Sequence, residues 1–341
     1  MGYADIPFWL SIVFMLAGLA AIAWSSDVFV DGAAALARAL GVSPFVIGMV
    51  VIGFGTSAPE LCVSVMSGYS GHANLSLGNA YGSCVFNVAV ILGVAALIVP
   101  LVVRSTVALV AGPGLVAISA LSYAILRDGS CTRIEAAVLL VAFLLLLPLY
   151  CWFDQKTKPS VSAEESTDAM DAKPQGLAWP FVKVVVGLVG LIGSSHVLVW
   201  GSVDFARFVG VSDLVIGLTI VAIGTSLPEL ASAIASARRG ENEFVLGNIV
   251  GSNLFNMLAV VGLATFIQPL VPGEGGEVAF SPYVLSRDLP LVAALSASIL
   301  LFGLNWKNWR SPGAVSRLKA ALWILSFVAY TAIALLQEIR H

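Results

Sequence analysis

A segment of seven residues that combines a proline with a glutamate occurs twice in the chain. The first copy, 55–61, reads GTSAPEL, and the second copy, 224–230, reads GTSLPEL. Both copies lie in apolar runs, where a glutamate is costly and usually serves an ion pathway or a proton relay. Because proline lacks a backbone N–H and clashes with the carbonyl four residues earlier, each helix must break or kink there. Carboxylates, hydroxyls and freed carbonyls on an interrupted helix predict a cation site.

The next apolar run in each half carries a second set of oxygen-bearing side chains. Ser83 and Asn87 are four residues apart and share one helix face, and Ser252 and Asn256 repeat this spacing. Together with the two glutamates they form a set of hard oxygen donors, with no histidine or thiolate obviously placed among them. Such a set suits Ca²⁺, which takes about six to eight oxygen ligands, and ions like Na⁺; it does not suit Zn²⁺ or Cu.

Simpler roles are open to several of these residues. A single kinked glutamate could be a structural hydrogen-bond anchor, but a symmetric pair with matching Ser and Asn partners favours a binding site. We expect Asn79 and Asn248 to tie helices together. Four glycines lie beside the polar residues and let helix backbones approach closely. They are Gly78, Gly82, Gly247 and Gly251.

The composition requires a membrane around these segments. Of the 341 residues 59% are hydrophobic and 11% are charged, whereas a soluble globular protein carries about 25% charged residues. Apolar windows long enough to cross about 30 Å of hydrocarbon predict ten membrane spans. These windows are 8–24, 44–67, 75–99, 107–126, 134–152, 181–200, 213–236, 244–270, 289–305 and 319–337.

The two halves of the chain are related by one shift of 169 positions, without a gap. The aligned stretches cover at least 41–101 and 210–270. Because each half would contain five spans, an odd number, the second half must sit upside down relative to the first. The predicted fold is an all-α polytopic membrane protein with ten transmembrane helices in two inverted-topology five-helix repeats. Its parts are a first repeat, 1–153, a cytoplasmic linker, 154–180, and a second repeat, 181–341.

The basic residues predict the orientation of the chain. Of the 17 Lys and Arg residues, twelve fall in the linkers that follow odd-numbered spans. The positive-inside rule places these linkers in the cytoplasm and both termini outside. The four cysteines lie in or beside spans without CxxC spacing, so we expect small buried residues and neither a disulfide framework nor a metal site.

The duplicated motifs resemble the two signature repeats of the cation/Ca²⁺ exchanger superfamily, specifically those of the short prokaryotic Na⁺/Ca²⁺ exchangers. The motifs are Gly-Thr-Ser-x-Pro-Glu at 55–60 and 224–229, and Gly-Asn-x-x-Gly-Ser-x-x-x-Asn at 78–87 and 247–256. The resemblance implies an antiporter with four central cation positions, without a cofactor and without enzymatic activity. The residues that match the ligands of the family are Gly53 and Ala222 (both through the backbone), Thr56, Ser57, Glu60, Ser83, Asn87, Thr225, Ser226, Glu229, Ser252 and Asn256.

The resemblance implies that Glu60 and Glu229 hold Ca²⁺ directly, with Na⁺ in overlapping positions. Some members of the superfamily carry Asp where this chain has Asn87 or Asn256. Two carboxylates neutralise one Ca²⁺ or two Na⁺, so a third Na⁺ would leave the site with a net positive charge. The two asparagines therefore leave the stoichiometry and the counter-ion open.

The predicted function is Na⁺/Ca²⁺ antiport by alternating access. The alternative is an H⁺/Ca²⁺ exchanger, or a cation/Ca²⁺ exchanger that also uses K⁺. A passive cation channel needs a continuous wetted pore and weak binding at several positions, which fits two buried glutamates less well. The expected partners are Ca²⁺, Na⁺ and the lipid of the plasma (inner) membrane, which the chain crosses several times. We expect no nucleic-acid partner, no regulatory domain in the chain, and a protein that can work as a monomer.

Overall fold

The chain folds, in this computed structural model, into a bundle of apolar helices with one small β-sheet. The structure describes residues 7–39, 55–103, 105–157, 177–238, 240, 242–272, 279–308 and 311–339. Helices of the first half are Phe8–Ala39, Ala58–Tyr69, Ala73–Phe86, Gly93–Ile98, Ser105–Leu126 and Arg133–Thr157. Helices of the second half are Ala178–Val209, Asp213–Ile216, Ala222–Thr225, Leu227–Arg238, Asn242–Leu254, Val261–Ile267, Leu289–Gly303 and Arg317–Ile339. Short π-helical segments lie at Asn87–Leu92, Gly217–Val221, Phe255–Val260 and Val284–Asp288.

The helices confirm an all-helical membrane architecture. Within the described ranges, seven helices are long and apolar enough to cross a membrane, and one bent pair would bring the number to eight. The predicted window 134–152 is covered by the 25-residue helix Arg133–Thr157. The window 44–67 lies partly outside the described residues, and its second part is the helix Ala58–Tyr69. The count of ten spans stays a prediction, as does the linker, because 158–176 lies outside the described residues.

Both proline segments interrupt their helices, as the sequence predicts. Thr56 and Ser57 form a turn, and Pro59 lies in the first turn of the helix that follows. In the second half, Ser226 separates two helices that are bent by 47° relative to each other. Proline is tolerated there because the first N–H groups of a helix have no helical partner. Each break leaves a serine just before a helix whose first turn carries a glutamate.

Two helices that continue into π-helical segments form the centre of the bundle. Helix Ala73–Phe86 runs into Asn87–Leu92, and helix Asn242–Leu254 runs into Phe255–Val260. Most of their side chains are buried. A π-helical segment inside an α-helix is frequent at functional sites, and these two begin at or next to the predicted ligands Asn87 and Asn256.

The predicted packing role of the glycines is confirmed for the first half. A Cβ atom on Gly78 would lie 2.7 Å from the carbonyl oxygen of Leu214, and one on Gly82 would lie 2.7 Å from the Cα atom of Leu218. The backbone of the central helix therefore touches the backbone of the crossing segment around 213–221. For Gly247 and Gly251 no atom of the described residues lies within 4 Å of such a Cβ.

The two longest helices pack against each other along most of their length. These are Phe8–Ala39 and Ala178–Val209, each with 32 residues. A Cβ on Gly18 would lie 2.9 Å from the backbone of Leu198, and a Cβ on Gly187 would lie 2.5 Å from the backbone of Phe29. Small residues thus bring the two backbones into direct contact, as in many membrane helix pairs.

A two-stranded antiparallel sheet joins the two halves, a feature that the sequence analysis does not predict. Strand β1, Leu101–Val103, pairs with strand β2, Gly313–Val315, so that Leu101 lies opposite Val315. A separate bridge pairs Cys131 with Leu270. The loops that follow 98 and 303 therefore meet, and so do the loops that follow 126 and 267.

Candidate cation site

The two duplicated glutamates are buried, and each accepts a hydrogen bond from the serine of the other half. Glu60 and Glu229 are 0% and 1% exposed. The Ser226 hydroxyl donates to Oε1 of Glu60 over 2.8 Å, and the Ser57 hydroxyl donates to Oε1 of Glu229 over 2.9 Å. The two contacts are reciprocal, so the site forms only where the two halves meet.

A second serine extends each of these contacts. Oγ of Ser226 lies 3.1 Å from Oγ of Ser83, and Oγ of Ser57 lies 3.1 Å from Oγ of Ser252. A hydroxyl has a single proton. Because Ser226 and Ser57 give theirs to the carboxylates, Ser83 and Ser252 must donate to them. The four predicted serines therefore form two equivalent hydroxyl–carboxylate networks, one around Glu60 and one around Glu229.

The two predicted threonines also reach across the halves. The Thr225 hydroxyl donates to Oδ1 of Asn79 over 3.1 Å and interacts with Glu60. Thr56 interacts with Glu229. The hydroxyls thus assist the carboxylate of the opposite half, a pairing that the spacing within one half cannot show.

Four oxygen atoms of this cluster are buried but lack a hydrogen-bond partner among the described residues. They are Oε2 of Glu60, Oε2 of Glu229, Oδ1 of Asn87 and Oδ1 of Asn256. Neither glutamate takes part in an ion pair within the same ranges. Buried polar groups in native proteins nearly always have a partner, and a buried charge needs an opposite charge or a metal. Four such oxygens at equivalent positions of the two halves fit a cation.

Asn79 has the structural role that the sequence predicts. Its amide nitrogen donates to the backbone carbonyl of Glu60 over 3.1 Å and to the Ser64 hydroxyl over 2.9 Å. It therefore fixes the helix that carries Glu60 to the central helix. Asn248 has no hydrogen bond in the part of the chain that the structure describes, so the prediction is wrong for Asn248 within these ranges.

Of the two backbone ligands that the resemblance implies, the structure describes only Ala222. Gly53 lies outside the described residues. The Ala222 carbonyl is buried, accepts a hydrogen bond from the Ser226 backbone N–H over 3.1 Å, and lies 3.3 Å from the Thr225 hydroxyl oxygen. The carbonyl of Gly55, which the proline deprives of a helical partner, lies 3.4 Å from the hydroxyl of Ser26 on the first long helix.

Asn253 joins this cluster, although the sequence analysis does not single it out. Its Oδ1 accepts a hydrogen bond of 3.0 Å from Nδ2 of Asn87, and its Nδ2 donates to the Cys84 carbonyl over 3.3 Å. The signal in the sequence is a break in the repeat, since the shift of 169 positions pairs Cys84 with Asn253.

The donor set consists of oxygens. No group of three or more His, Cys, Asp or Glu residues that could hold a metal occurs among the described residues. Cys62, Cys84 and Cys131 are free thiols; Cys84 and Cys131 are buried, as the sequence predicts, whereas Cys62 is half-buried. Carboxylate, hydroxyl and amide oxygens are the donors that a hard cation prefers.

Long apolar helices around a buried cluster of oxygen donors define the class of protein, an ion transporter of the membrane. Comparison with known proteins then identifies the family. The family described as Sodium/calcium exchanger protein matches residues 10–152 and 179–336. The chain belongs to this family, whose members are ion exchangers and not enzymes and for which no cofactor is implied, and the resemblance drawn from the motifs is confirmed.

Relatives and solved structures agree with this assignment. The chain is 36% identical to a putative antiporter, CaxA, of Alkalimonas amylolytica, over 94% of this chain and 97% of that protein. It is 28% identical to the sodium/calcium exchanger MaX1 of Methanosarcina acetivorans, over 90% and 95%. The sodium-calcium exchanger NCX_Mj, soaked with 2.5 mM Na⁺ and 10 mM Sr²⁺, superimposes with a TM-score of 0.61 at 27% identity and covers 96% of this chain and 99% of that chain.

Proposed function

We propose that the protein is a Na⁺/Ca²⁺ antiporter that works by alternating access at a site built on Glu60 and Glu229. The observation that carries this proposal is the group of four buried oxygens that have no hydrogen-bond partner among the described residues, two from carboxylates and two from amides. Their arrangement around reciprocal serine contacts supports one shared site between the halves. The names of the relatives, which include an antiporter and a sodium/calcium exchanger, agree with it.

The proposed ligands of the transported ions are the residues that the family resemblance implies. Ca²⁺ takes about six to eight oxygens, more than the four oxygens without partners supply. The serine hydroxyls around the two glutamates have further lone pairs, and they would complete the coordination of the ion. The full proposed set is Gly53, Thr56, Ser57, Glu60, Ser83, Asn87, Ala222, Thr225, Ser226, Glu229, Ser252 and Asn256.

Coupling follows from the charge of this site. Two buried carboxylates without counter-ions cost several kcal/mol each. The protein should therefore be unable to enclose the site while the site is empty. One Ca²⁺ or two Na⁺ remove that cost. The protein should then change between its outward-open and inward-open states only when it is loaded, and transport of one ion becomes tied to return of the other.

The long helix pair is the proposed gate. Phe8–Ala39 reaches both proline breaks, since a Cβ on Gly55 would meet Val30 and a Cβ on Gly224 would meet Leu19. The helices that carry the glutamates are instead held by hydrogen bonds such as those of Asn79. We infer that the pair slides over the fixed remainder and opens the site to one side at a time.

The proposed topology is ten spans in two inverted five-helix repeats, 1–153 and 181–341, joined by a cytoplasmic linker at 154–180. Pairing of β1 with β2 joins the loops after the third and ninth spans, and the bridge of Cys131 with Leu270 joins those after the fourth and eighth. Both pairings connect loops that this topology places on the same side. Both termini outside the plasma (inner) membrane, and function as a monomer, complete the proposal.

The decisive experiment is uptake of ⁴⁵Ca²⁺ into proteoliposomes that contain the purified protein. The vesicles are loaded with Na⁺, with K⁺, or with choline under an imposed pH gradient. Uptake that requires internal Na⁺ supports the proposal. Uptake driven by the pH gradient or by K⁺ would show that H⁺ or K⁺, and not Na⁺, is the counter-ion. Unitary currents in a planar bilayer would indicate a channel.

A further inference from the structure

Asn253 lies between the two halves and is hydrogen-bonded to the first half through both ends of its side-chain amide. Its Nδ2 donates to the backbone carbonyl of Cys84 over 3.3 Å, and its Oδ1 lies 3.0 Å from Nδ2 of Asn87. Asn253 and Asn87 are fully buried. Both contacts lie within the central pair of helices, and one of them is made by the proposed ligand Asn87 itself.

The chemistry of these contacts fixes the orientation of Asn87. A backbone carbonyl can only accept a hydrogen bond, so the Asn253 atom that faces Cys84 must be the NH₂ group. Oδ1 of Asn253 therefore points towards Asn87 and can only accept. Asn87 must offer its own NH₂ group there, and its Oδ1 is turned to the opposite side. That oxygen is one of the four buried oxygens without a partner.

The equivalent amide in the second half has no such support. The residue that corresponds to Asn253 in the first half is Cys84, whose thiol lies 3.8 Å from the backbone carbonyl of Asn253. Neither Nδ2 nor Oδ1 of Asn256 has a hydrogen-bond partner among the described residues. Within the part of the chain that the structure describes, the two proposed amide ligands thus differ in one respect, since only Asn87 is held in a fixed orientation.

We infer that Asn253 is a positioning residue that holds Asn87 with its amide oxygen towards the transported cation. This inference rests on the proposed function of the site. Asn253 itself contributes no proposed ligand atom, and it acts only through Asn87. Groups that orient a metal ligand typically change metal affinity by about 10–100-fold when they are removed.

The test is a double-mutant cycle on the apparent KM for Ca²⁺, measured in the proteoliposome assay. The variants are N253A, N87A and the double variant, each checked for a single monodisperse species before reconstitution. N253A should raise KM about tenfold, within the range for such orienting groups. The double variant should have the KM of N87A alone, because Asn253 has nothing to orient once Asn87 is gone.

The matched control is the equivalent position of the other half. C84A should leave KM within about twofold of the wild type, and its effect should add to that of N256A. If N253A does not fold, N253S serves as the second variant, since its shorter side chain cannot reach both partners.

The outcomes separate the two proposals. Additive effects of N253A and N87A would overturn the positioning role and leave the exchanger assignment intact. Equal effects of N253A and C84A would also overturn it, because both would then reflect packing. Absence of Ca²⁺ uptake by the wild-type protein would instead overturn the proposed function.

Discussion

Asn253 and Cys84 occupy equivalent positions in the two halves of the chain, and they are hydrogen-bonded to each other. Nδ2 of Asn253 donates to the Cys84 carbonyl over 3.3 Å, and the sulfur of Cys84 lies 3.8 Å from the Asn253 carbonyl. When two copies of a motif are related by a two-fold rotation, equivalent residues can meet only near the rotation axis. The reciprocal contacts of Ser226 with Glu60 and of Ser57 with Glu229 follow the same symmetry.

Removal of either glutamate charge should abolish Ca²⁺ transport. In E60Q or E229Q, a bound Ca²⁺ would keep a net positive charge in a buried site, at a cost of about 3–5 kcal/mol. We expect Ca²⁺ uptake to fall by at least about 100-fold, since each 1.4 kcal/mol corresponds to a factor of ten. The control is E135Q, which changes a half-buried carboxylate outside the site that accepts a hydrogen bond from the Thr132 hydroxyl. Normal uptake by E60Q and E229Q would contradict the proposed site.

The two serine contacts should be equivalent. S226A and S57A each remove a hydroxyl that donates to a buried carboxylate, and hydrogen bonds to charged groups are worth about 1.5–3 kcal/mol. Both variants should raise the KM for Ca²⁺ about tenfold or more, and by similar factors. S119A is the control, because Ser119 donates to the Leu115 carbonyl of its own helix over 2.8 Å. A large effect of only one serine variant would contradict the reciprocal site.

A third carboxylate should be tolerated in the second half but not in the first. In N87D, the carboxylate cannot donate to Oδ1 of Asn253, and two acceptors would face each other where the present distance is 3.0 Å. N256D meets no such acceptor among the described residues. We expect N256D to keep Ca²⁺ uptake and to increase the Na⁺ to Ca²⁺ flux ratio, whereas N87D loses uptake. N87D combined with N253S should recover part of it; equal behaviour of both aspartate variants would exclude this explanation.

The two amides at equivalent positions of the duplicated Gly-Asn motif, Asn79 and Asn248, should differ in their effect on stability. Asn79 makes hydrogen bonds with the Glu60 carbonyl, Ser64 and Thr225. N79A should lower the free energy of unfolding by about 2–4 kcal/mol, because it leaves buried groups without partners. N248A should cost less than about 1 kcal/mol, since Asn248 has no hydrogen bond within the described ranges. Unfolding in mixed micelles, with Ca²⁺ absent, measures both, and similar losses would show that the amides are equivalent.

Much of the fold could be predicted from the sequence, because membrane helices follow from hydrophobicity alone. The apolar windows coincide with helices such as Ser105–Leu126 and Arg317–Ile339 to within a few residues. The proline breaks followed from the missing N–H of Pro59 and Pro228. The β1–β2 pairing could not be predicted, since each strand has three residues and its partner lies in the other half.

The sequence could indicate which polar residues gather around the two glutamates, but not how they connect. Spacing within a helix indicates which side chains share a face, and the four-residue spacing predicts this for Ser83 and Asn87. It cannot show that Ser226 reaches Glu60, because that contact depends on how the halves pack. Asn253 could not be predicted from the repeat, because its counterpart in the first half is Cys84 and the two positions do not match.

The exchange of serines between the halves has a consequence for biosynthesis. Glu60 and its hydrogen-bond donor Ser226 are separated by 166 residues. The ribosome therefore delivers the first half to the membrane before that donor has been synthesised. Large proteins usually fold domain by domain during synthesis, but the hydrogen bonds of Ser226 to Glu60 and of Ser57 to Glu229 can form only when both halves are present. The chain repeats itself in sequence and yet forms a single unit of assembly.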